Sequence, residues 1–107
     1  MIKVVVKKID EEILNVRISG HAYSGEPGHD LVCAGVSSVV FGILNSIEDI
    51  DTSFRVKIGD GLVELTPLYR PSNENKIILK VLMTSLKTIE ENYGKYIAIR
   101  EEREKKV

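Results

Sequence analysis

The chain has one cysteine and two histidines in 107 residues, and fifteen basic against sixteen acidic residues leave a net charge of only −1. A lone cysteine forms no intramolecular disulfide and leaves the cysteine-rich zinc patterns incomplete. So balanced a charge supplies no general attraction to phosphate backbones, and no direct nucleic-acid partner is expected. The longest uncharged run, residues 31–47, is seventeen residues interrupted by two glycines, three serines and an asparagine. That suits a buried central helix better than a membrane span, so no membrane partner is expected. Neither nucleotide fingerprint, Gly-x-Gly-x-x-Gly or Gly-Lys-Ser, occurs, and no cofactor is expected. With no signal peptide and no oxidising framework, the expected localisation is cytoplasmic, where a thiol stays reduced and usable.

What is present reads as one domain, residues 1–107, long enough to bury a modest core. Residues 2–8 are rich in valine, and residues 13–19 alternate Leu14, Val16 and Ile18 with Asn15, Arg17 and Ser19. Both predict strands. Continued alternation puts His21 on the polar side and Gly20 on the core side, where a missing side chain admits a close backbone approach. Asp30 is a good N-cap for a helix over residues 31–47. Residues 54–58 and 62–68 alternate on either side of Gly59-Asp60-Gly61, a strong hairpin signal, with Pro67 expected to end the second strand. Ser72 or Asn73 opens a second helix over about residues 74–93, with Ile78, Leu82, Leu86, Ile89 and Tyr93 at helical spacing and Gly94 ending it. Residues 96–100 predict a last strand, and residues 100–107, mostly charged, a solvated end. The order strand-strand-helix-strand-strand-helix-strand predicts a two-layer α+β fold with two helices on a largely antiparallel sheet.

The chemistry concentrates between the second strand and the first helix. Cys33 falls in the first turn of that helix, where unpaired backbone N–H groups and the positive end of the helix dipole stabilise anions, and a thiolate rather than a thiol is the nucleophile. His21, at the preceding strand's end, is the candidate base. Nucleophile and base are the parts of a thiol protease. Asp30 has two compatible duties, capping the helix or orienting the imidazole as a third member, and capping is the safer assignment. Ser37 lies one turn beyond Cys33 on the same face, placed to hydrogen-bond near the thiolate or back to its own helix. The N–H groups at the helix start are candidate oxyanion donors. The loop of residues 22–29, with Gly25, Pro27, Gly28 and His29, is expected to move. Tyr23, Phe41 and Tyr69 are aromatic candidates to line a substrate groove. The blander alternatives stay open: Cys33 as a small buried hydrophobe and His21 as a surface histidine. A metal set of His21, His29 and Cys33 matches no common zinc spacing, and no metal is expected.

Gly20-His21-Ala22, followed by Gly28-His29-Asp30-Leu31-Val32-Cys33-Ala34-Gly35-Val36-Ser37 and the late Ser85-Leu86-Lys87-Thr88-Ile89-Glu90-Glu91, resembles the bacterial ribosomal-processing cysteine protease family over the whole chain. The resemblance implies an endopeptidase that removes an N-terminal extension from large ribosomal subunit protein twenty-seven, after an aromatic residue. It implies Cys33 as nucleophile, His21 as general base, Asp30 and Ser37 as supporting groups, and Gly20 and Gly28 as shapers of the loop. It also implies a homodimer whose partner in function is the precursor of a large-subunit ribosomal protein. The family often has alanine where this chain has Gly35. Two other classes remain as alternatives: a noncatalytic ribosome-associated binding module, and a thiol-based redox or metal sensor using Cys33.

Overall fold

In a computed structural model, residues 1–26 and 30–105 are described. The elements are β1 (Ile2–Ile9), β2 (Glu12–Ser19), α1 (Leu31–Ser46), a one-turn α2 (Ile50–Ser53), β3 (Phe54–Gly59), β4 (Leu62–Pro67), α3 (Asn73–Tyr93) and β5 (Ile97–Glu104). The expected α+β fold is what forms. The five strands make one sheet in the order β3-β4-β2-β1-β5. Every pairing is antiparallel except β1 with β5.

Topology explains why both helices cover the same face. The chain goes from β2 to β3 through α1 and α2, and from β4 to β5 through α3, each time joining strands that run in the same direction. The two crossovers travel in opposite directions across the sheet between strands of opposite orientation. A right-handed crossover, the strongly preferred hand, therefore lays both helices on one side. Onto that side the strands turn Ile2, Val4, Val6, Val16, Ile18, Leu65 and Ile97, all buried. From α1 come Val32, Val36, Val40 and Leu44, and from α3 Leu79, Leu82, Met83 and Leu86, at the three- and four-residue spacings that make one helical stripe. Each such side chain removed from water contributes roughly 1.5–3 kcal/mol. Among the described residues no helix is long and apolar enough to cross a membrane.

Two features depart from the sequence pattern. Residues 100–104 do not form a solvated end but continue β5, paired in parallel with β1 from Ile2↔Ile97 to Ile9↔Glu104. Charged side chains are compatible with an edge strand because they stay at its surface while the backbone pairs inward. Here they are also partnered: Glu101 lies 3.2 Å from Lys8 and 3.8 Å from Lys87, and Arg103 donates to the Asp10 carbonyl at 2.7 Å. Lys8, whose hydrogen bond to Glu101 is the largest influence, holds that carboxyl below its ordinary range. The second departure is α2, a single turn with no apolar periodicity, entered through Asp49 in the left-handed region at φ +51.

Candidate active site

Where β2 ends, three parts of the chain meet. Gly20 takes φ +92, and a Cβ there would stand 2.4 Å from the Met1 carbonyl oxygen. The predicted close backbone approach is present, and its neighbour is the start of β1. The Gly20 N–H donates to the Gly61 carbonyl at 2.8 Å, which fastens the exit of β2 to the turn between β3 and β4. The β2–β4 register, ending at Ser19↔Leu62, brings these segments side by side.

His21 follows, its side chain 44% exposed. Its ring lies over Gly61: a Cβ on that glycine, which sits at φ +62, would fall 2.8 Å from the imidazole Nε2. The same Nε2 is 3.8 Å from Oδ1 of the fully exposed Asp60. The imidazole also packs, tilted, against Tyr23 at 5.8 Å between ring centroids. Tyr23 is 76% exposed and holds the left-handed region at φ +54, a conformation that costs a bulky side chain on the order of 1 kcal/mol.

Ala22 turns its side chain into the core and donates its N–H to the Cys33 sulfur at 3.3 Å. Cys33 is half-buried at the first turn of α1. The sulfur therefore rests against the residue that follows His21. Among the described residues no hydrogen bond joins the imidazole to the thiol directly.

Asp30 caps α1. Its Oδ1 accepts the Cys33 N–H at 3.0 Å and also the Ser24 hydroxyl, and its Oδ2 accepts the Ser24 N–H at 2.9 Å. These donors, the Cys33 N–H foremost and the Ser24 hydroxyl next, hold the Asp30 carboxyl down at about 2. Of the two duties open to Asp30, the geometry realises capping; the carboxylate nearest His21 is that of Asp60. The cap also alters the expectation for oxyanion donors. The Cys33 N–H is taken by Asp30 Oδ1 and the Ala34 N–H by the Asp30 carbonyl at 3.0 Å. The N–H that faces the sulfur among the described residues is that of Ala22.

The remaining expected residues divide. Ser37 is exposed one turn along α1, with no hydrogen bond to Cys33, and Gly25 is exposed in the loop. Gly28 and His29 lie outside the described residues, and with His29 so does the metal set that included it. Gly35 has room for an alanine, since a Cβ there would be 4.0 Å from Ile89 Cδ1. Tyr69 lines a separate cavity of about 260 Å³ with Ser72 and Asn75, so of the three aromatic candidates only Tyr23 touches His21. Ser24, Asp60 and Gly61 carry no signal in the sequence beyond turn chemistry.

A lone thiol at a capped helix start, an N–H aimed at its sulfur and an imidazole at the adjoining strand exit suit the chemistry of the cysteine proteases. The chain belongs to the cysteine protease Prp family, whose model matches residues 1–98. It is 38% identical over 104 residues to the ribosomal processing cysteine protease Prp of Staphylococcus aureus (strain Mu50), covering 92% of this chain and 97% of that protein. Its identity to the protein of the same name from Bacillus subtilis (strain 168) is 35% over 102 residues, 87% of this chain and 90% of the other. Among solved structures, it is similar to an essential ribosomal processing protease Prp from S. aureus in complex with a covalently linked product peptide. The TM-score is 0.85 at 37% identity, covering 95% of this chain and all of that one.

Proposed function

We propose that this chain is a cysteine endopeptidase that processes a ribosomal protein, removing the N-terminal extension of large ribosomal subunit protein twenty-seven, with Cys33 as nucleophile and His21 as base. The observation that carries the reading is the 3.3 Å hydrogen bond from the Ala22 N–H to the Cys33 sulfur, which holds the thiol against the strand exit bearing His21. The imidazole takes the thiol proton as the sulfur attacks the scissile carbonyl carbon, giving a tetrahedral oxyanion within reach of the Ala22 N–H. Collapse breaks the C–N bond, and the imidazolium gives its proton to the departing amine. Water then adds to the thioester with His21 again taking the proton, and the acid product leaves with the thiol restored. Asp30 supports the site through the helix: it fixes the first turn and thereby the direction of the Cys33 side chain. Ser37 stands as a supporting group further along α1.

An aromatic residue just before the cut bond would be the main determinant of recognition, and Tyr23, exposed beside His21, is the side chain in place to meet it. Burying such a ring contributes roughly 1.5–3 kcal/mol. Incubation of the purified precursor with the enzyme, read by intact mass, should give one cut after that residue. Replacing it by alanine should lower kcat/KM by about tenfold to a hundredfold. No cleavage, or equal rates for both precursors, would count against the substrate assignment. The same reading carries a cytoplasmic homodimer, for which Leu31 and Phe41, exposed on the uncharged α1, offer apolar surface. Light scattering that gives a monomer at all working concentrations would remove that part.

A further inference from the structure

We infer that the β3–β4 turn is part of the catalytic apparatus: Gly61 seats the His21 imidazole, and Asp60 is a positioning residue that keeps its proton on Nε2, leaving Nδ1 to receive the thiol proton of Cys33. The inference deepens the proposed function and rests on His21 being the base.

Three independent features of this turn converge on His21. The Gly20 N–H to Gly61 carbonyl hydrogen bond, 2.8 Å, locks the turn to the residue before the histidine. The ring occupies the place of the Cβ that Gly61 lacks, 2.8 Å from Nε2, so any side chain there would push the imidazole off its seat. Of the two ring nitrogens it is Nε2 that faces the turn, with Asp60 Oδ1 3.8 Å away. An imidazole whose Nε2–H is directed at a carboxylate presents an unprotonated Nδ1 as its remaining acceptor, and which nitrogen carries the proton is set by the partner of the other.

At 3.8 Å the Asp60 contact is a charge approach rather than a formed hydrogen bond. The Asp60 side chain is fully exposed, so rotation about its own χ angles is free to close the gap. Catalytic hydrogen bonds commonly tighten in this way only once substrate is bound. The other nearby carboxylate, Asp30, has both oxygens engaged by Ser24 and Cys33 and is not available for this task. An exposed carboxylate acts modestly and is screened by salt.

The experiment compares wild type with Asp60→Ala, Asp60→Glu and Gly61→Ala, alongside Cys33→Ala and His21→Ala as controls for the underlying reading. Asp60→Ala should lower kcat by about two- to fivefold with KM unchanged, Asp60→Glu should restore it, and the gap should close in about 1 M salt. Gly61→Ala should cost more than about tenfold in kcat, because the ring itself is displaced. Because the chain has two histidines, nitrogen-15 spectra assigned with one single-histidine variant should show neutral His21 carrying its proton on Nε2. A wild-type kcat for Asp60→Ala at low salt, failure of the glutamate to restore activity, or a proton on Nδ1 would overturn the inference. If Gly61→Ala does not fold, the fully exposed Asp60 variants decide it. Full cleavage by Cys33→Ala or His21→Ala would instead remove the reading beneath it, a failure distinguishable from the first.

Discussion

The two long helices begin with the same device and put it to opposite uses. At the start of α1, Asp30 accepts the backbone N–H of Cys33 at 3.0 Å, and at the start of α3, Ser72 accepts that of Asn75 at 3.2 Å. In both the cap satisfies the third amide of the helix and thereby fixes the side chain at that position. Asn75 is 3% exposed, and its amide closes a reciprocal pair with the Glu48 backbone, accepting at 3.1 Å and donating at 3.2 Å. Cys33 is only half-buried, and among the described residues its sulfur has a single N–H partner, from Ala22. A side chain with all its partners supplied is structure. One held in place and only half-buried suits the nucleophile proposed above.

Exchanging these two residues for alanine should separate the roles, and this is the largest expected effect. Cys33→Ala should lower cleavage by about 10⁴-fold or more, as deletion of a nucleophile does, with a melting temperature close to wild type. Asn75→Ala should do the reverse. It strands the Glu48 N–H and carbonyl at a cost of about 1–3 kcal/mol, lowering the melting temperature by about 4–8 °C per kcal/mol, while kcat per folded molecule stays at the wild-type value. Thermal melts and single-turnover cleavage on the same preparations read both. A Cys33→Ala protein that melts far below wild type with its cleavage intact would invert the comparison.

How much of this was legible in the sequence follows from the range over which each feature is encoded. Asp30 ahead of an apolar run gave the start of α1, and with it the first-turn position of Cys33, because a cap and its helix are three residues apart. Gly20 could be assigned a close approach from alternation along β2 alone. The seat of His21 could not be found that way. It depends on the β2–β4 register that sets Ser19 opposite Leu62 and so brings Asp60 and Gly61 beside the histidine from forty residues away. Read locally, those residues are only a hairpin turn. The charged end of the chain misled for a similar reason: residues 100–104 have the composition of a solvated tail, and only the exposed edge of β1, with Lys8 and the Asp10 carbonyl as partners, makes them a strand. Ser24 escaped notice because a loop hydroxyl serving a cap six residues later leaves no periodic trace.

The smallest expected effect distinguishes the caps by their charge. Ser72→Ala should cost about 0.5–2 kcal/mol, the usual loss for a neutral cap, equally at every pH. The Asp30 cap is ionised, and its carboxyl is lowered from 3.8 to about 2 by the Cys33 N–H and then the Ser24 hydroxyl. Because the folded value lies below the unfolded one, the unfolded chain takes up the proton first on acidification. The stability contributed by ionised Asp30 is therefore fully present above about pH 4 and is lost as pH falls toward 2. Asp30→Asn, which keeps a capping oxygen without the charge, should melt below wild type at neutral pH, and the two should converge between pH 4 and 2. Glu101, also lowered, through its hydrogen bond with Lys8, titrates in both proteins and cancels in the difference. The gap between Ser72→Ala and wild type should stay constant over the same interval. Melting curves collected from pH 5 to pH 2 make the test, and a wild-type and Asp30→Asn pair that stays parallel would mean that the charge on the α1 cap contributes nothing beyond its shape.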